Sequence, residues 1–223
     1  MARDRMAVLT AIVDQGAIPV FYHPDVEVCV NVIQACANGG AKCIEFTNRG
    51  DFAPHVFYEV TKHFAKADKS VIMGVGSVLD APTAGIYIAN GANFVVGPVL
   101  NAEVAKLCNR RKIAYSPGCG SASEISDAEE LGCEIVKVFP GTQVGGPEFV
   151  KAVLGPMPWT KIMPTGGVDP TPDSLKAWFG AGIVAAGIGS KLITADALKA
   201  KDYGAIEKKV RETIALIRQI RGK

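Results

Sequence analysis

The chain has 223 residues, of which 48% are hydrophobic and 21% are charged, a composition typical of a globular protein with a large core. Its formal net charge is +2 and its acidic and basic residues are interspersed, which excludes the charge patterns of nucleic-acid-binding and membrane-surface proteins. Because α/β barrels of this length often form one domain, we predict a single domain over residues 1–223.

The chain also lacks the sequence patterns of secretion, membrane insertion and metal binding. Residues 1–15 carry charges around a short apolar run, which predicts an amphipathic helix and not a signal peptide. Residues 81–102 are uncharged, but asparagine, glycine and proline interrupt them, so they make a poor membrane span. The six cysteines show no C-x-x-C spacing and the three histidines no H-x-x-x-H pair, so we predict no metal and no cofactor. Scattered cysteines in apolar segments indicate a reducing compartment, and we expect a cytoplasmic protein.

Eight short apolar runs rich in β-forming residues recur along the chain. Their centres lie roughly 20–28 residues apart, the length that a strand, a helix and two loops require. The predicted strands are residues 18–22, 43–47, 71–75, 94–96, 113–116, 135–139, 161–164 and 183–186.

Helical segments with recognisable start signals lie between these runs. An extra helix over residues 2–15 precedes the first strand, and residues 203–221 end the chain with isoleucine and valine at helical spacing. The other predicted helices start near Asp25, Asp51, Asp80, Asn101, Ser121, Gly146 and Thr171.

This eightfold alternation predicts a parallel (β/α)₈ barrel of the TIM type, with the extra N-terminal helix in front of it. A doubly wound open sheet is the alternative, but no G-x-G-x-x-G follows the first strand. In such barrels the active site lies at the carboxyl ends of the strands, which selects candidate residues directly.

Two ionisable residues interrupt otherwise apolar strands. Lys137 lies in the sixth predicted strand and Glu45 in the second, where Ile44 and Phe46 flank it. A lysine with an ordinary pKa near 10.4 is almost wholly charged at pH 7, and burial lowers that pKa enough to make a Schiff-base nucleophile. Glu45 would then move protons. A structural ion pair, or a lysine that reaches solvent from a strand end, is the alternative.

Glycine-rich turns follow the last two predicted strands. Gly166 and Gly167 follow the seventh, and residues 187–190 follow the eighth, where Ser190 would open a helix. Backbone N–H groups in such loops approach an anion closely, so we predict a phosphate site there. Arg49 and Ser77, after the second and third strands, are candidates for binding a substrate carboxylate.

Taken together, these residues resemble the 2-keto-3-deoxy-6-phosphogluconate / 4-hydroxy-2-oxoglutarate aldolase family, and the likeness covers essentially the whole chain. The matching pieces are Glu45-Phe46-Thr47 followed by Arg49, Gly74-Val75-Gly76-Ser77, Ser116-Pro117-Gly118, Lys137-Val138-Phe139-Pro140, Pro164-Thr165-Gly166-Gly167 and Gly189-Ser190.

The resemblance implies a class I, metal-independent aldolase that acts on a small-molecule substrate and is usually a homotrimer. It implies that Lys137 forms the Schiff base and that Glu45 is the general acid/base. The implied substrate-binding residues are Arg49, Ser77, Pro98, Phe139, Thr165, Gly166, Gly167, Gly189 and Ser190. Ile188 stands where the family often has glycine, and a side chain facing the site there would narrow the phosphate pocket.

The expected reaction is cleavage of 2-keto-3-deoxy-6-phosphogluconate to pyruvate and glyceraldehyde 3-phosphate, with 4-hydroxy-2-oxoglutarate as a further substrate. Two alternatives remain. One is an aldolase for the phosphogalactonate epimer or for another 4-hydroxy-2-oxo acid. The other is a non-aldolase barrel that binds sugar phosphates or isomerises them with Glu45 as the base.

Overall fold

The computed structural model describes residues 3–222, which form ten helices and nine strands. The strands are β1 (Ala17–Phe21), β2 (Cys43–Thr47), β3 (Ile72–Gly76), β4 (Phe94–Val96), β5 (Ala114–Ser116), β6 (Gly118–Cys119), β7 (Val136–Val138), β8 (Ile162–Pro164) and β9 (Ala186–Ile188). The helices are α1 (Arg5–Gln15), α2 (Val26–Asn38), α3 (Ala53–Ala67), α4 (Ala81–Ala89), α5 (Ala102–Arg111), α6 (Ala122–Glu130), α7 (Gly146–Leu154), α8 (Pro172–Gly180), α9 (Ala195–Lys199) and α10 (Tyr203–Ile220). Within the described range, no helix is long and apolar enough to cross a membrane.

The strands pair in parallel, as the alternation of strand and helix predicts. Six of them form a curled sheet in the order β5-β4-β3-β2-β1-β9, and β6, β7 and β8 form a second sheet. At one edge a parallel bridge joins Thr165 to Gly187, and the Val184 N–H donates to the Ile162 carbonyl. At the other edge only Pro117 separates β5 from β6. The fold is therefore α/β with parallel strands, and helices follow the strands along the chain.

One strand was not predicted, and another strand prediction needs correction. The strand predicted over residues 113–116 is present as β5, but a further strand, β6, follows after Pro117, which separates the two because proline has no N–H to donate to a ladder. The strand predicted over residues 183–186 lies later in the chain, as β9, where it pairs with β1 in the register Ala17 to Ala186.

Three helix starts also differ from the prediction. Asp51 does not cap α3, because Phe52 takes the N-cap position with a φ of 62° and no side-chain hydrogen bond. Residues 190–193 form a turn, and the next helix, α9, begins later with Thr194 as its cap, so Ser190 does not open a helix. The N-terminal helix begins at Arg5 after the cap residue Asp4, and Ala2, which was included in it, lies outside the described residues.

The buried residues form two clusters. The larger one lies between the strands and the surrounding helices. In the smaller one, Val8, Leu9 and Ile12 of α1 pack with residues near the strand starts, such as Ile18 and Cys43. Helix α1 therefore covers the amino-terminal ends of the strands and leaves their carboxyl ends open.

Gln15, the last residue of α1, ties this helix to the sheet. Its Nε2 donates to the carbonyl oxygens of Ala17 at 2.6 Å and Cys43 at 2.8 Å. Its Oε1 accepts from the N–H groups of Lys42 at 2.6 Å and Cys43 at 2.8 Å. One buried side chain thus satisfies four backbone groups, which offsets the cost of burying its amide.

Candidate active site

Glu45 projects from the middle of β2 toward the inside of the curled sheet. Its neighbours Ile44 and Phe46 belong to the cluster packed against the helices, whereas Cys43 belongs to the cluster beneath α1. Since side chains alternate along a strand, Glu45 shares the inner face with Cys43. It is 1% exposed.

On the neighbouring strand β3, Gly76 makes room for this carboxyl group and Gly74 makes room for the ring of Phe94. A Cβ at Gly76 would lie 1.8 Å from the Glu45 Oε1, and a Cβ at Gly74 would lie 2.1 Å from the ring of Phe94. The other carboxyl oxygen of Glu45, Oε2, is buried without a hydrogen-bond partner among residues 3–222. A buried acceptor without a partner costs free energy, and a ligand that donates a hydrogen bond to it would remove that cost.

Lys137, in the middle of β7, also projects toward the inside of the strands. Val136 and Val138 face the helices, and Ile135 belongs with the cluster beneath α1, so alternation places Lys137 on the inner face. The lysine is 5% exposed, and its Nζ lies 4.7 Å from the centroid of the Phe139 ring. The aromatic ring thus contacts the amine and shields it from solvent.

Burial dominates the ionisation of both groups. It raises the pKa of Glu45, and the charges of Lys137 and then Arg49 offset this only in part. It lowers the pKa of Lys137, which the Glu45 charge opposes and the Arg49 charge assists. The amine and the carboxylate form no ion pair within 4.0 Å. Burial thus enlarges the neutral fraction of the amine and lets the carboxyl group hold a proton at a higher pH than usual.

Arg49 and Ser77 follow β2 and β3, which are neighbours in the sheet, and both lie beyond the carboxyl ends of these strands. The Asn48 N–H donates to the Gly76 carbonyl at 2.8 Å, which fastens the end of β2 to the end of β3. Arg49 is exposed, and Ser77 is half-buried with a φ of 59°. Asn48 was not selected from the sequence, yet its Oδ1 also accepts from the Tyr87 hydroxyl at 2.7 Å, which holds this edge in place.

Pro98 lies beside β6, the strand that pairs with β7, which carries Lys137. A Cβ at Gly118 would lie 2.1 Å from the Pro98 carbonyl oxygen, so only glycine fits there. Gly118 is the register partner of Lys137 in the pairing of β6 with β7. The half-buried Phe139 therefore contacts the lysine, and the half-buried Pro98 contacts its register partner on the neighbouring strand.

The loop after β8 presents free backbone donors. Gly166 and Gly167 have φ values of 89° and 80°, which favour glycine. The Gly141 N–H donates to the Thr165 carbonyl at 2.9 Å, and the Thr142 N–H donates to the Gly166 carbonyl at 3.2 Å. The N–H groups of Gly166 and Gly167 donate no hydrogen bond within the described part of the chain. They are free to bind an anion.

Two residues that sequence reasoning missed support this loop. The Trp178 Nε1–H donates to the Gly167 carbonyl at 3.2 Å, and the Thr142 Oγ1 lies 1.5 Å from where a Cβ at Gly167 would be. A buried tryptophan needs an acceptor for its N–H, so Trp178 was the available signal. Nothing in the sequence pointed to Thr142.

On β9 the side chain of Ile188 does not face the site, a direction that the sequence left open. Ile188 is 1% exposed and belongs to the cluster against the helices. The inward position is held by Gly187, where a Cβ would lie 2.3 Å from the Thr165 Oγ1. Because Ile188 points away, it does not narrow the anion loop. Gly189 is half-buried and Ser190 is exposed, just beyond the end of the strand.

Residues 3–222 contain no group of three or more histidine, cysteine, aspartate or glutamate side chains arranged to hold a metal ion. The arrangement is instead that of a buried amine and a buried carboxyl group on one inner face, with a cation at one rim and free N–H groups at another. Such a set can form an imine with a carbonyl compound that also carries an anionic end.

Comparison with known proteins identifies the family to which the chain is similar. The model of the KDPG and KHG aldolase family matches residues 10–209. The 2-dehydro-3-deoxy-phosphogluconate aldolase of Treponema pallidum is 30% identical over 90% of this chain and 92% of its own length. The KHG/KDPG aldolase of Escherichia coli is 29% identical over 88% of this chain and 90% of its own.

A solved structure agrees in fold. The 2-keto-3-deoxy-6-phosphogluconate aldolase of Zymomonas mobilis ZM4, determined with 3-phosphoglycerate, superposes with a TM-score of 0.81 and 25% identity. The match covers 94% of this chain and 95% of that one. Because the family model spans most of the chain, the chain belongs to the KDPG and KHG aldolase family.

Proposed function

We propose that this aldolase cleaves 2-keto-3-deoxy-6-phosphogluconate to pyruvate and glyceraldehyde 3-phosphate, and cleaves 4-hydroxy-2-oxoglutarate to pyruvate and glyoxylate. The observation that carries the proposal is Lys137, a buried amine with a lowered pKa on the same inner face as Glu45. The alternative of a non-aldolase barrel is set aside, because the chain belongs to a family of aldolases.

Lys137 acts as the nucleophile. Its neutral amine attacks the C2 carbonyl carbon of the substrate, and loss of water from the carbinolamine leaves a protonated imine. Glu45 takes the proton of the C4 hydroxyl as the C3–C4 bond breaks. The electron pair of that bond moves into the imine, which becomes an enamine, and the aldehyde departs. A proton returned to C3 makes the methyl group, and water releases pyruvate from Lys137.

The remaining candidates bind the two ends of the substrate. Arg49 and Ser77 hold the carboxylate beside the imine. Pro98 and Phe139 pack against the pyruvyl carbons. The phosphate end is bound by Thr165, Gly166, Gly167, Gly189 and Ser190. The free N–H groups of the loop after β8 and the outward side chain of Ile188 both favour a phosphorylated substrate.

The proposal includes a closed (β/α)₈ barrel over residues 1–223 as a single domain. It is supported by the Thr165–Gly187 bridge at one edge of the two sheets and by the short separation at Pro117 at the other. It also includes the cytoplasm as compartment, supported by six cysteines that are all free and buried.

A homotrimer completes the proposal. Phe52, Leu79 and Val99 follow the ends of β2, β3 and β4, and each is a large apolar side chain that is between 48% and 81% exposed. Neighbouring loops with exposed apolar residues are typical of a surface that a second copy covers. In sedimentation equilibrium the wild-type protein should be a trimer and Phe52→Asp should be a smaller species. A monomeric wild-type protein would contradict the proposal.

Borohydride trapping tests the nucleophile. Pyruvate with sodium borohydride should add one reduced adduct, located by peptide mass on the segment that contains Lys137, and Lys137→Ala should lose both the adduct and the activity. Lys161→Ala is the matched control, since Lys161 is exposed just before β8, and it should retain both. Full activity in Lys137→Ala would sink the proposal.

The phosphate requirement is tested separately. We expect kcat/KM for the phosphorylated substrate to exceed that for its unphosphorylated form by more than tenfold, and Ser190→Ala to reduce the preference. A ratio below tenfold would mean that the phosphate contributes less than about 1.4 kcal/mol, and the phosphate assignment would fail. The phosphogalactonate epimer, assayed alongside, shows which C4 configuration the site prefers.

A further inference from the structure

A cavity of about 710 Å³ opens on the molecule between α3, α4 and α5. Its lining includes Val71, Asn93 and Ile113, which precede β3, β4 and β5, so it lies at the amino-terminal ends of these strands. The candidate active site lies at the carboxyl ends, and none of its residues lines the cavity. This cavity is therefore unrelated to the aldolase chemistry.

The floor of the cavity is apolar. Phe64, Val71, Met73, Ile88 and Ile113 all line it, and each is between 1% and 7% exposed. The volume falls in the range of pockets that hold small organic ligands, roughly 300–1,000 Å³. A flat apolar group of a ligand would gain burial against this floor.

Cationic side chains surround the floor, and the lining contains no carboxylate. These rim residues are Arg3, Lys62, Lys69 and Arg111. Lys62 lies 3.8 Å from Glu59, and the Arg3 guanidinium donates to the Val71 carbonyl at 3.5 Å. Within residues 3–222, neither Lys69 nor Arg111 forms an ion pair or a side-chain hydrogen bond.

Helix ends explain only part of this charge. Arg111 is the last residue of α5, where a cation is favoured by the helix dipole. The dipole does not require three further cations around the same hollow. Like charges around one hollow repel one another, and an anion bound in the hollow would relieve this repulsion.

We propose that this cavity is a second binding site, for an organic phosphate that combines an apolar ring with two or more anionic groups. The ring lies on the floor formed by Met73, Ile88 and Ile113. The anionic groups contact Lys69 and Arg111, whose side chains have no ion-pair or hydrogen-bond partner among residues 3–222, and Lys62 and Arg3 complete the charge complementarity.

Isothermal titration of the intact protein tests this site with ATP as the probe. We expect one saturable ATP site per chain, and affinities at least fivefold weaker for adenosine alone and for inorganic tripolyphosphate alone. The double variant Lys69→Glu/Arg111→Glu should weaken ATP binding at least tenfold while aldolase kcat/KM stays within twofold of wild type. The matched control Lys176→Glu/Lys208→Glu changes the net charge equally on exposed residues outside the cavity, and should bind ATP within twofold of wild type.

Three results would overturn the proposal. One is the absence of saturable ATP binding. Another is an equal loss of affinity in the control double variant, which would show a general charge effect. The third is loss of ATP binding in Ser190→Ala, which would place the probe in the phosphate loops of the active site. Thermal unfolding midpoints within a few degrees of wild type establish that both double variants are folded.

Discussion

Replacing Gly76 by alanine tests whether the position of Glu45 controls catalysis. The new Cβ would lie 1.8 Å from the Glu45 Oε1, whereas ordinary van der Waals contact begins at 3.4 Å. Because the backbone of β3 is fixed by its pairing with β2 across five register positions, the flexible carboxyl group has to move instead. The shift is about 1.5 Å, on the scale at which a catalytic group loses its alignment.

The size of the effect follows from what a misplaced proton-transfer group costs. A displacement of about 1 Å reduces rates by roughly 10²-fold, and a general acid/base contributes 10²–10⁴-fold in total. We therefore expect Gly76→Ala to lower kcat by about 10²-fold, which is about 2.7 kcal/mol in the activation free energy. Lys137 is not displaced, so borohydride with pyruvate should still label it to completion.

Pyruvate release is measured with lactate dehydrogenase as the coupling enzyme. Gly85→Ala is the control, because Gly85 lies in α4 and its nearest atom, the Leu107 Cδ2, is 3.9 Å from the new Cβ, which leaves room for it. A kcat for Gly76→Ala equal to that of Gly85→Ala would refute the reasoning, and so would a loss of borohydride labelling in proportion to the loss of kcat.

Three further outcomes are expected. Lys137→Met should abolish activity yet raise the free energy of unfolding at pH 7 by an amount on the order of 1 kcal/mol. The reason is that burial lowers the pKa of Lys137, so the wild-type protein folds at the cost of desolvating the lysine charge. This gain is largest below the folded-state pKa and disappears as the pH approaches 10.5; urea denaturation showing a gain that grows with pH would contradict it. Trp178→Phe removes the donor to the Gly167 carbonyl, a hydrogen bond of about 1 kcal/mol, and should raise KM for the phosphorylated substrate by roughly 3- to 10-fold. KM for 4-hydroxy-2-oxoglutarate should not change, and an equal rise for both substrates would count against a phosphate role. Asp25→Ala removes the side chain that caps α2 by accepting from the Val28 N–H at 3.0 Å, and it should lower the free energy of unfolding by about 1 kcal/mol in the same urea denaturation assay, with kcat unchanged. Asp25→Asn keeps a capping oxygen and should retain most of the wild-type stability.

The sequence sufficed for those features that a local period determines. The strand over Cys43–Thr47 was predicted with its observed bounds, and the alternation of side chains in a pleated strand placed Glu45 opposite Ile44 and Phe46. The same rule applies to Lys137 between two valines. The parallel α/β class followed from the regular spacing of the apolar runs.

Features that depend on pairing between distant segments could not be predicted in this way. Residues 183–188 form a continuous apolar run with no period, so the pairing of Ala186 with Ala17, and not the run itself, decides where β9 lies. The direction of Ile188 was therefore open. The contact of Gly76 with the Glu45 carboxyl group likewise joins residues from two strands, and local sequence carries no information about such a contact.

The four hydrogen bonds of Gln15 make the docking of α1 measurable at backbone amides outside that helix. The N–H groups of Lys42 and Cys43 find their acceptor in a side chain of this helix and not in another strand. Whenever α1 leaves the sheet, both amides lose their acceptor while the rest of β2 keeps its pairing with β3. Hydrogen exchange at these two amides is therefore a built-in reporter of how often the amino-terminal end of the molecule opens without global unfolding.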